Sequence, residues 1–328
     1  MSDLIDAYRR YLPPSLQSLP WQTHPLDGKL LLFDRDSGLN ILLEGDEVAH
    51  LRRVAPRTLL IGVTNDCTRA CSFCYRDREA DSLWDYASLL QFCQDADKWG
   101  VLEVAFGGGE PMLFPRWGEF ITELHASTGL SVNFTTNGTL LTEDFLHSIA
   151  GHYGQTRLSI YEDNDWETTI DKLVRCEARF GINWLITPAE MAGMDAKFGQ
   201  LFDLGVRDFL LIGYKGSDAS LRLDAADLKQ VEHIVSQKYE QLGTSVALKL
   251  DACWGDSLPG VPRLFPTDDC GAGDDFLSIT CDQRVKLCSF FHESAEARTI
   301  DDVKGYWEQH RAMRDAARIG GCGRANRG

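Results

Sequence analysis

Hydrophobic and polar positions along the middle of the chain predict repeated strand–helix units. Between residues 57 and 245, short apolar runs alternate with longer segments whose apolar residues recur at helical spacing. Continuous apolar strands between amphipathic helices indicate a parallel sheet with covered faces. The predicted strands cover 58–63, 101–106, 130–135, 157–161, 182–187 and 208–214, and the predicted helices cover 83–99, 116–128, 142–150, 165–180, 194–203 and 224–241. The pattern predicts an α/β fold with a partial (β/α)6 TIM-like barrel, in which function gathers at the carboxyl ends of the strands.

Two shorter segments flank the predicted barrel. Before it, apolar runs at 29–34 and 39–44 predict an N-terminal β-hairpin, whereas the stretch from Tyr11 to Pro25 holds four prolines and is expected to be irregular. After one further strand at 245–250 the alternation stops. A second hairpin from 276–280 and 284–287 and a helix over 300–316 are then expected. We therefore expect an extension over 1–56, the barrel over 57–245 and a small C-terminal domain over 246–328.

Composition and charge exclude several classes of protein. Hydrophobic residues make up 44% of the chain and charged residues 25%, which is typical of a globular protein. The formal net charge of −16 argues against a protein that binds nucleic acid by neutralising phosphates. No apolar run is long enough for a membrane helix, and the N-terminus MSDLIDAYRR lacks the order of a signal peptide. A cytoplasmic protein without membrane contact is expected.

Ten cysteines in a chain without an export signal favour metal or redox chemistry over disulfides. Cys67, Cys71 and Cys74 begin just after the first predicted barrel strand. Zinc structural sites usually need four protein ligands, and only the Cys71–Cys74 spacing is typical of such a site. An iron–sulfur cube held by three cysteines would leave one iron open to a substrate or cofactor. Cys93 and Cys176 lie within amphipathic helices and are expected in the core.

A glycine-rich motif follows the second predicted strand. Gly107, Gly108 and Gly109 precede Glu110 and Pro111. Glycines let a backbone approach a ligand closely, and a strand-to-helix loop offers unpaired N–H groups. Because parallel strands end at one rim of a barrel, this motif and the three cysteines are expected at the same rim.

Together these motifs resemble the radical SAM superfamily. The resemblance implies that Cys67, Cys71 and Cys74 bind a [4Fe–4S] cluster whose open iron chelates S-adenosylmethionine (SAM), and that a 5′-deoxyadenosyl radical then activates a C–H bond. The aromatic residue before the last cysteine is Phe73. The resemblance also implies contacts to SAM from Gly107, Gly108, Gly109, Glu110, Thr135, Asn137 and Ser159.

The last quarter of the chain is similar to the SPASM/twitch extensions of radical SAM proteins, which hold auxiliary clusters. Five cysteines are too few for two clusters, so one auxiliary cluster is expected, taken as [4Fe–4S]. Its expected ligands are Cys270, Cys281, Cys288 and Cys322. The hairpin turn and the lone Cys322 depart from the family pattern, which leaves the fourth ligand open to Cys253, to the substrate or to neither.

The resemblance favours an enzyme that modifies a ribosomally made peptide by a cross-link, a thioether or an epimerisation. Two alternatives are a radical dehydrogenase of a small molecule such as an aminocyclitol and a non-catalytic iron–sulfur electron-transfer protein. A flavodoxin or ferredoxin is the expected reductant. Because 56 residues are too few for a full peptide-recognition domain, a separate recognition protein or the hairpin's edge strand would bind the peptide. No catalytic acid, base or hydrogen donor is identified. Polar candidates at strand ends are Asn65, Asp66, Tyr161, Glu162, Asp163, Thr187, Tyr214 and Lys215.

Overall fold

The computed structural model describes residue 9 and residues 11–161, 163–261 and 270–317. Strands β1 to β13 cover Gln22–Leu26, Lys29–Asp34, Leu39–Glu44, Thr58–Thr64, Glu103–Gly108, Ser131–Thr136, Thr156–Ile160, Phe180–Ile186, Asp208–Gly213, Ala247–Leu250, Phe276–Ile279, Arg284–Lys286 and Ala295–Glu296. Helices α1 to α8 cover Pro14–Gln17, Tyr86–Trp99, Trp117–Ser127, Glu143–Ser148, Trp166–Arg175, Met194–Asp203, Ala225–Leu242 and Ile300–Ala317. Within these ranges, no helix combines the length and the apolar character that crossing a membrane requires.

The main sheet confirms the partial α/β barrel. Its strands run in the order β10-β9-β8-β7-β6-β5-β4-β11-β12-β13. Strands β4 to β10 pair in parallel with their neighbours, and they include the six strands that the hydrophobic pattern predicts. Among the described strands, β10 and β13 lie at the two edges of this sheet, so the barrel does not close.

Alternate residues of the barrel strands face opposite sides of the sheet. One side packs against the helices: Leu59 and Ile61 of β4 and Phe106 of β5 are almost fully buried there. The residues between them, such as Ala105 of β5 and Thr135 of β6, face the interior of the barrel and remain partly exposed. The interior is therefore an accessible space lined by one face of every strand.

The N-terminal segment holds one more strand than its sequence predicts. The hairpin of β2 and β3 is present at the predicted positions, and β1 pairs antiparallel with β2. The expectation of irregular structure from Tyr11 to Pro25 is therefore wrong for residues 22–25, which belong to β1. Proline lacks a backbone N–H and is tolerated on an edge strand, and β1 pairs only with β2 in the described chain.

One predicted helix ends earlier than expected. The pattern predicts a helix over 165–180, but α5 ends at Arg175 and β8 begins at Phe180. Glu177 adopts a left-handed backbone conformation with φ of 51°, which turns the chain out of the helix. This position usually holds glycine, so the sequence carries no ordinary stop signal here.

The C-terminal hairpin joins the barrel sheet directly. Strand β11 pairs in parallel with β4, with Ile279 opposite Ile61, and β12 folds back antiparallel along β11. Helix α8 confirms the predicted C-terminal helix, and Trp307 packs edge-on against Trp99 at 5.6 Å. The domain boundaries at residues 56 and 245 stay a prediction, and β10 and β11 extend the sheet that the barrel strands form.

Candidate active site

The loop that carries Cys67, Cys71 and Cys74 follows β4 at the carboxyl rim of the barrel. All three thiols are reduced and partly buried. The N–H of Cys74 donates to the carbonyl of Cys71 at 3.2 Å, which makes a tight turn. Burial raises the pKa of the Cys71 thiol, a hydrogen bond from Arg69 opposes this rise, and the nearby Cys74 and Cys67 reinforce it. The three thiols are therefore close enough to influence one another.

Asn65 closes the base of the cysteine loop. Its Nδ2 donates to the carbonyl of Ala80 at 2.7 Å and to that of Asp77 at 3.0 Å. Its backbone N–H donates to the Ser82 hydroxyl at 2.7 Å. Asn65 was predicted as a candidate for substrate chemistry because it ends a strand. Its side chain instead holds together the two ends of the loop.

An aromatic wall stands beside the three cysteines. The rings of Phe73 and Tyr161 lie 5.1 Å apart, and the Arg69 guanidinium lies 5.8 Å from the Tyr161 ring. Arg69 also pairs with Asp163, beyond the end of β7. Burial foremost raises the pKa of Tyr161 to about 12, with a smaller contribution from the neighbouring cysteines. This phenol stays protonated at neutral pH. Glu162, another strand-end candidate, lies outside the described residues.

The glycine motif packs against the base of the cysteine loop. A Cβ added to Gly109 would lie 1.9 Å from the carbonyl oxygen of Asp66. One added to Gly108, whose φ is +102°, would lie 2.6 Å from the carbonyl oxygen of Thr64. Gly107 differs, since a Cβ there would meet no described atom within 4 Å. Gly108 and Gly109 thus allow two loops to touch, whereas Gly107 borders open space.

The Glu110 side chain is buried between the ends of β5 and β6. It is 1% exposed, and it accepts hydrogen bonds from the Thr136 hydroxyl at 2.8 Å and the Asn137 N–H at 2.9 Å. It also accepts the N–H of Met112 at 3.3 Å. Burial raises the pKa of this carboxyl, while these hydrogen bonds oppose the rise. Glu110 therefore joins the end of β5 to the end of β6.

Three further predicted site residues line the end of the barrel beside these loops. Thr135 of β6 is partly exposed and pairs in register with Arg157 of β7, and Ser159 lies two residues further along β7. Asn137 follows β6, and its Nδ2 donates to Thr68 Oγ1 at 3.0 Å. The fold thus gathers the residues that the sequence assigns to SAM at one rim. Which of them touch SAM stays a prediction.

The barrel floor is a polar network that sequence reasoning missed. Arg157 donates to Asn183 Oδ1 at 2.7 Å and to Asp208 Oδ1 at 3.0 Å. Lys249 donates to Asp208 Oδ2 at 2.7 Å. These bonds join β7, β8, β9 and β10 on the interior face. A charged residue within an otherwise apolar strand would have predicted this network, because a buried charge requires partners.

The rim residues suit a cluster better than a single metal ion. In the described chain, no three His, Cys, Asp or Glu side chains converge on a single-ion site. An iron–sulfur cluster holds its cysteines further apart, because each thiolate binds a different iron. Three reduced thiols on one loop, with an amide and a guanidinium beside them, fit that requirement.

The structure separates the predicted auxiliary ligands. Cys281 begins the turn after β11, where its carbonyl accepts the N–H of Leu83 at 2.9 Å. Cys288 follows the other end of the hairpin, because Lys286 pairs with Ser278. Cys270 precedes Gly271, which accepts the N–H of Phe276 at the start of β11. Cys281 and Cys288 thus lie at opposite ends of the hairpin, and Cys322 lies outside the described residues.

The two cysteine regions touch through aromatic side chains. The ring of Tyr75, next to Cys74, lies 5.2 Å from that of Phe290, two residues beyond Cys288. Tyr75 also forms a side-chain hydrogen bond with Ser289. Sequence reasoning missed this contact because more than 200 residues separate its partners.

Comparison with known proteins now identifies the barrel. Residues 61–163, from β4 to just past β7, match the family model of the Radical SAM superfamily. The chain carries a radical SAM domain. The matched region contains the three cysteines, the glycine motif, Asn137 and Tyr161.

Curated relatives match over less than half of this chain. A tungsten-containing aldehyde ferredoxin oxidoreductase cofactor-modifying protein of Pyrococcus furiosus is 35% identical over 98 residues, which cover 28% of this chain and 27% of the relative. A probable GTP 3′,8-cyclase of Methanocella arvoryzae is also 35% identical over 98 residues, which cover 28% of this chain and 30% of the relative. The chain thus spans less than a third of the length of these relatives.

A solved structure matches over more of the chain. SuiB of Streptococcus suis, bound to the precursor peptide SuiA, superposes with a TM-score of 0.68 at 14% identity, over 87% of this chain and 88% of SuiB. The same protein is also solved bound to S-adenosylmethionine. At this identity the likeness shows the fold alone.

Proposed function

We propose that this protein is a radical SAM enzyme. The observation that carries the proposal is the meeting of Cys67, Cys71 and Cys74 with the open side of Gly107 at one rim, inside the matched domain. When bound, a [4Fe–4S] cluster and SAM supply a 5′-deoxyadenosyl radical that removes a hydrogen atom from the substrate. The chain's own part is to hold these groups and to place the substrate C–H bond in the barrel interior.

Each side of the rim has a distinct part in this proposal. The three thiols bind the cluster, and Phe73 and Tyr161 screen it from water on one side. In this proposal Gly107 leaves room for SAM, and Thr135 and Ser159 hydrogen-bond it. The polar floor around Arg157 closes the other end of the barrel, so substrate enters from the carboxyl rim.

We further propose a peptide as the substrate. SuiB, whose fold this chain shares, is solved with a precursor peptide. Strand β3 offers a docking edge, because among the described strands it pairs only with β2. A peptide could add to that edge while its reactive residue enters the barrel. The GTP cyclase relative favours the small-molecule alternative only through the domain that both reactions share.

The C-terminal cysteines complete the proposal with one auxiliary cluster. Cys270, Cys288 and Cys322 are its proposed ligands. The position of Cys281 at the opposite end of the hairpin argues against it as the fourth. A flavodoxin or ferredoxin as reductant, a separate recognition protein and a cytoplasmic location stay predictions.

Anaerobic reconstitution with iron and sulfide tests the proposed chemistry. With dithionite and SAM, the protein should release 5′-deoxyadenosine, and the variant with Cys67→Ala, Cys71→Ala and Cys74→Ala should release none. The matched control is Cys93→Ala, a buried helical cysteine of the same type. Equal product from the triple variant would exclude the radical mechanism.

Mass spectrometry of short peptides encoded beside the gene tests the substrate. A loss of two hydrogens indicates a cross-link or another oxidation. An unchanged mass with deuterium uptake from solvent indicates epimerisation. Unmodified peptides together with a modified small molecule would favour the dehydrogenase instead.

A further inference from the structure

Asn137 is fixed against the loop that carries the first cysteine. Its Nδ2 donates to Thr68 Oγ1 at 3.0 Å and lies 3.8 Å from Cys67 Sγ, within reach of a weak N–H···S hydrogen bond. Its Oδ1 accepts the N–H of Thr139 at 2.9 Å. Both amide hydrogens are therefore engaged by the cysteine loop.

The backbone of Asn137 is held as firmly as its side chain. Its N–H donates to Glu110 Oε2 at 2.9 Å, and its carbonyl accepts from Asn164 Nδ2 at 3.1 Å. The residue is 8% exposed. The glutamate of the glycine-rich motif thus sets the orientation of the amide that faces Cys67.

An amide aimed at a cysteine sulfur affects any cluster bound there. Reduction adds negative charge to the cluster, and hydrogen bonds to its sulfurs stabilise that charge and raise the reduction potential. Residues that contact metal ligands tune a metal site without binding the metal. Asn137 occupies such a position toward Cys67.

We propose that Asn137 is a positioning residue that donates to Cys67 and raises the reduction potential of the cluster. This inference rests on the proposed function, because it requires that Cys67 binds the cluster. Glu110 supports it indirectly by fixing the Asn137 backbone. Asn137 then acts on the ease of reduction, in addition to any contact with SAM.

The test is a redox titration of the reconstituted protein, followed by electron paramagnetic resonance. The signal of interest is the one that changes when SAM is added. Asn137→Leu keeps the size of the side chain and removes both donors. We expect about a tenfold loss of reduced cluster at a fixed potential, which is a shift of ~59 mV to lower potential for one electron. Asn137→Asp keeps the acceptor for Thr139 and adds negative charge, so its potential should fall further.

The matched control is Asn133→Ala, in strand β6, which ends just before Asn137. Asn133 donates to Glu103 Oε2 at 3.4 Å on the barrel floor, away from the cysteines. The cluster of the Asn133→Ala variant should have the same reduction potential as that of the wild type. If Asn137→Leu does not fold, Asn137→Asp carries the test.

The outcomes separate the two proposals. A wild-type potential in a folded, cluster-loaded Asn137 variant overturns the inference while the proposed function stands. A wild-type protein that assembles no SAM-responsive cluster overturns the proposed function instead. A fall in potential in the Asn137 variants alone supports both.

Discussion

The glycine motif packs against the cysteine loop at Gly109 and borders open space at Gly107, and alanine substitutions at these two positions distinguish the two properties. The Gly109→Ala methyl would meet the Asp66 backbone at 1.9 Å, so the cysteine loop must move. Overpacking of this kind costs about 1–3 kcal/mol in free energy of unfolding. We expect a lower melting temperature and reduced iron binding after reconstitution, measured by thermal unfolding and iron assay.

Gly107→Ala is the matched variant, because its methyl would meet no described atom within 4 Å. Its melting temperature and iron content should stay near those of the wild type. SAM affinity should fall, since the methyl enters the space proposed for SAM. Equal loss of iron in both variants would contradict the assignment of Gly109 to loop packing and of Gly107 to the space for SAM.

Sequence spacing predicts these residues but not how they contact one another. Three cysteines and a glycine run are local signals, and parallel strands place their ends at one rim. The approach of Asn137 to Cys67 joins residues 70 positions apart and depends on the register of β4, β5 and β6. Glu110 illustrates the same point. Its motif predicts a contact to SAM, which stays a prediction, but does not predict the hydrogen bonds of its carboxylate to Thr136 and Asn137.

At the scale of elements, His24 on β1 links the N-terminal sheet to the barrel. It is 1% exposed, and its Nδ1 lies 3.1 Å from the carbonyl of Gly100, which follows α2. Burial foremost, with help from Arg53, lowers its pKa from 6.5 to about 4. The folded protein therefore holds this histidine neutral.

A lowered histidine pKa makes stability fall as the solution becomes acidic. The unfolded chain takes up the proton near pH 6.5, whereas the folded chain resists it until about pH 4. The contribution of neutral His24 to the free energy of unfolding is thus fully present above pH 6.5 and is lost as the pH falls toward 4. At 1.36 kcal/mol per pKa unit, the loss is roughly 3 kcal/mol. Urea unfolding at several pH values should show a smaller loss for His24→Gln.

His152→Gln provides the control, because His152 is an exposed histidine. Its pH profile should match that of the wild type. A wild-type slope in His24→Gln would assign the acid sensitivity to other groups.

Helices and strands are predicted well where their apolar periodicity is long, and poorly where backbone conformation determines where they begin or end. The barrel strands and α8 have clear apolar periodicity, so their existence follows from sequence. Strand β1 was missed because Pro25 marks an irregular segment, and only an edge position tolerates it. The end of α5 was missed because Glu177, and not glycine, adopts the left-handed turn.

At the scale of the whole molecule, the hairpin of β11 and β12 brings Cys281 and Cys288 to the sheet whose strand β4 precedes the loop of Cys67, Cys71 and Cys74. The contact of Tyr75 with Phe290 joins the two regions. Their ligand sets are nevertheless predicted to be independent, because Cys74 and Cys288 lie on separate loops. Metal content should therefore fall in two separate steps when each set of cysteines is removed.

Iron assays of reconstituted variants measure these steps. Two [4Fe–4S] clusters give about eight irons per chain, and the loss of either leaves about four. We expect about four for the variant lacking Cys67, Cys71 and Cys74, and about four for Cys270→Ala with Cys288→Ala. Cys281→Ser should keep about eight, because the turn of the hairpin holds Cys281 away from Cys288. About four irons in Cys281→Ser would make it a ligand after all. That result would require the hairpin register of Ser278 with Lys286 to change when the cluster binds.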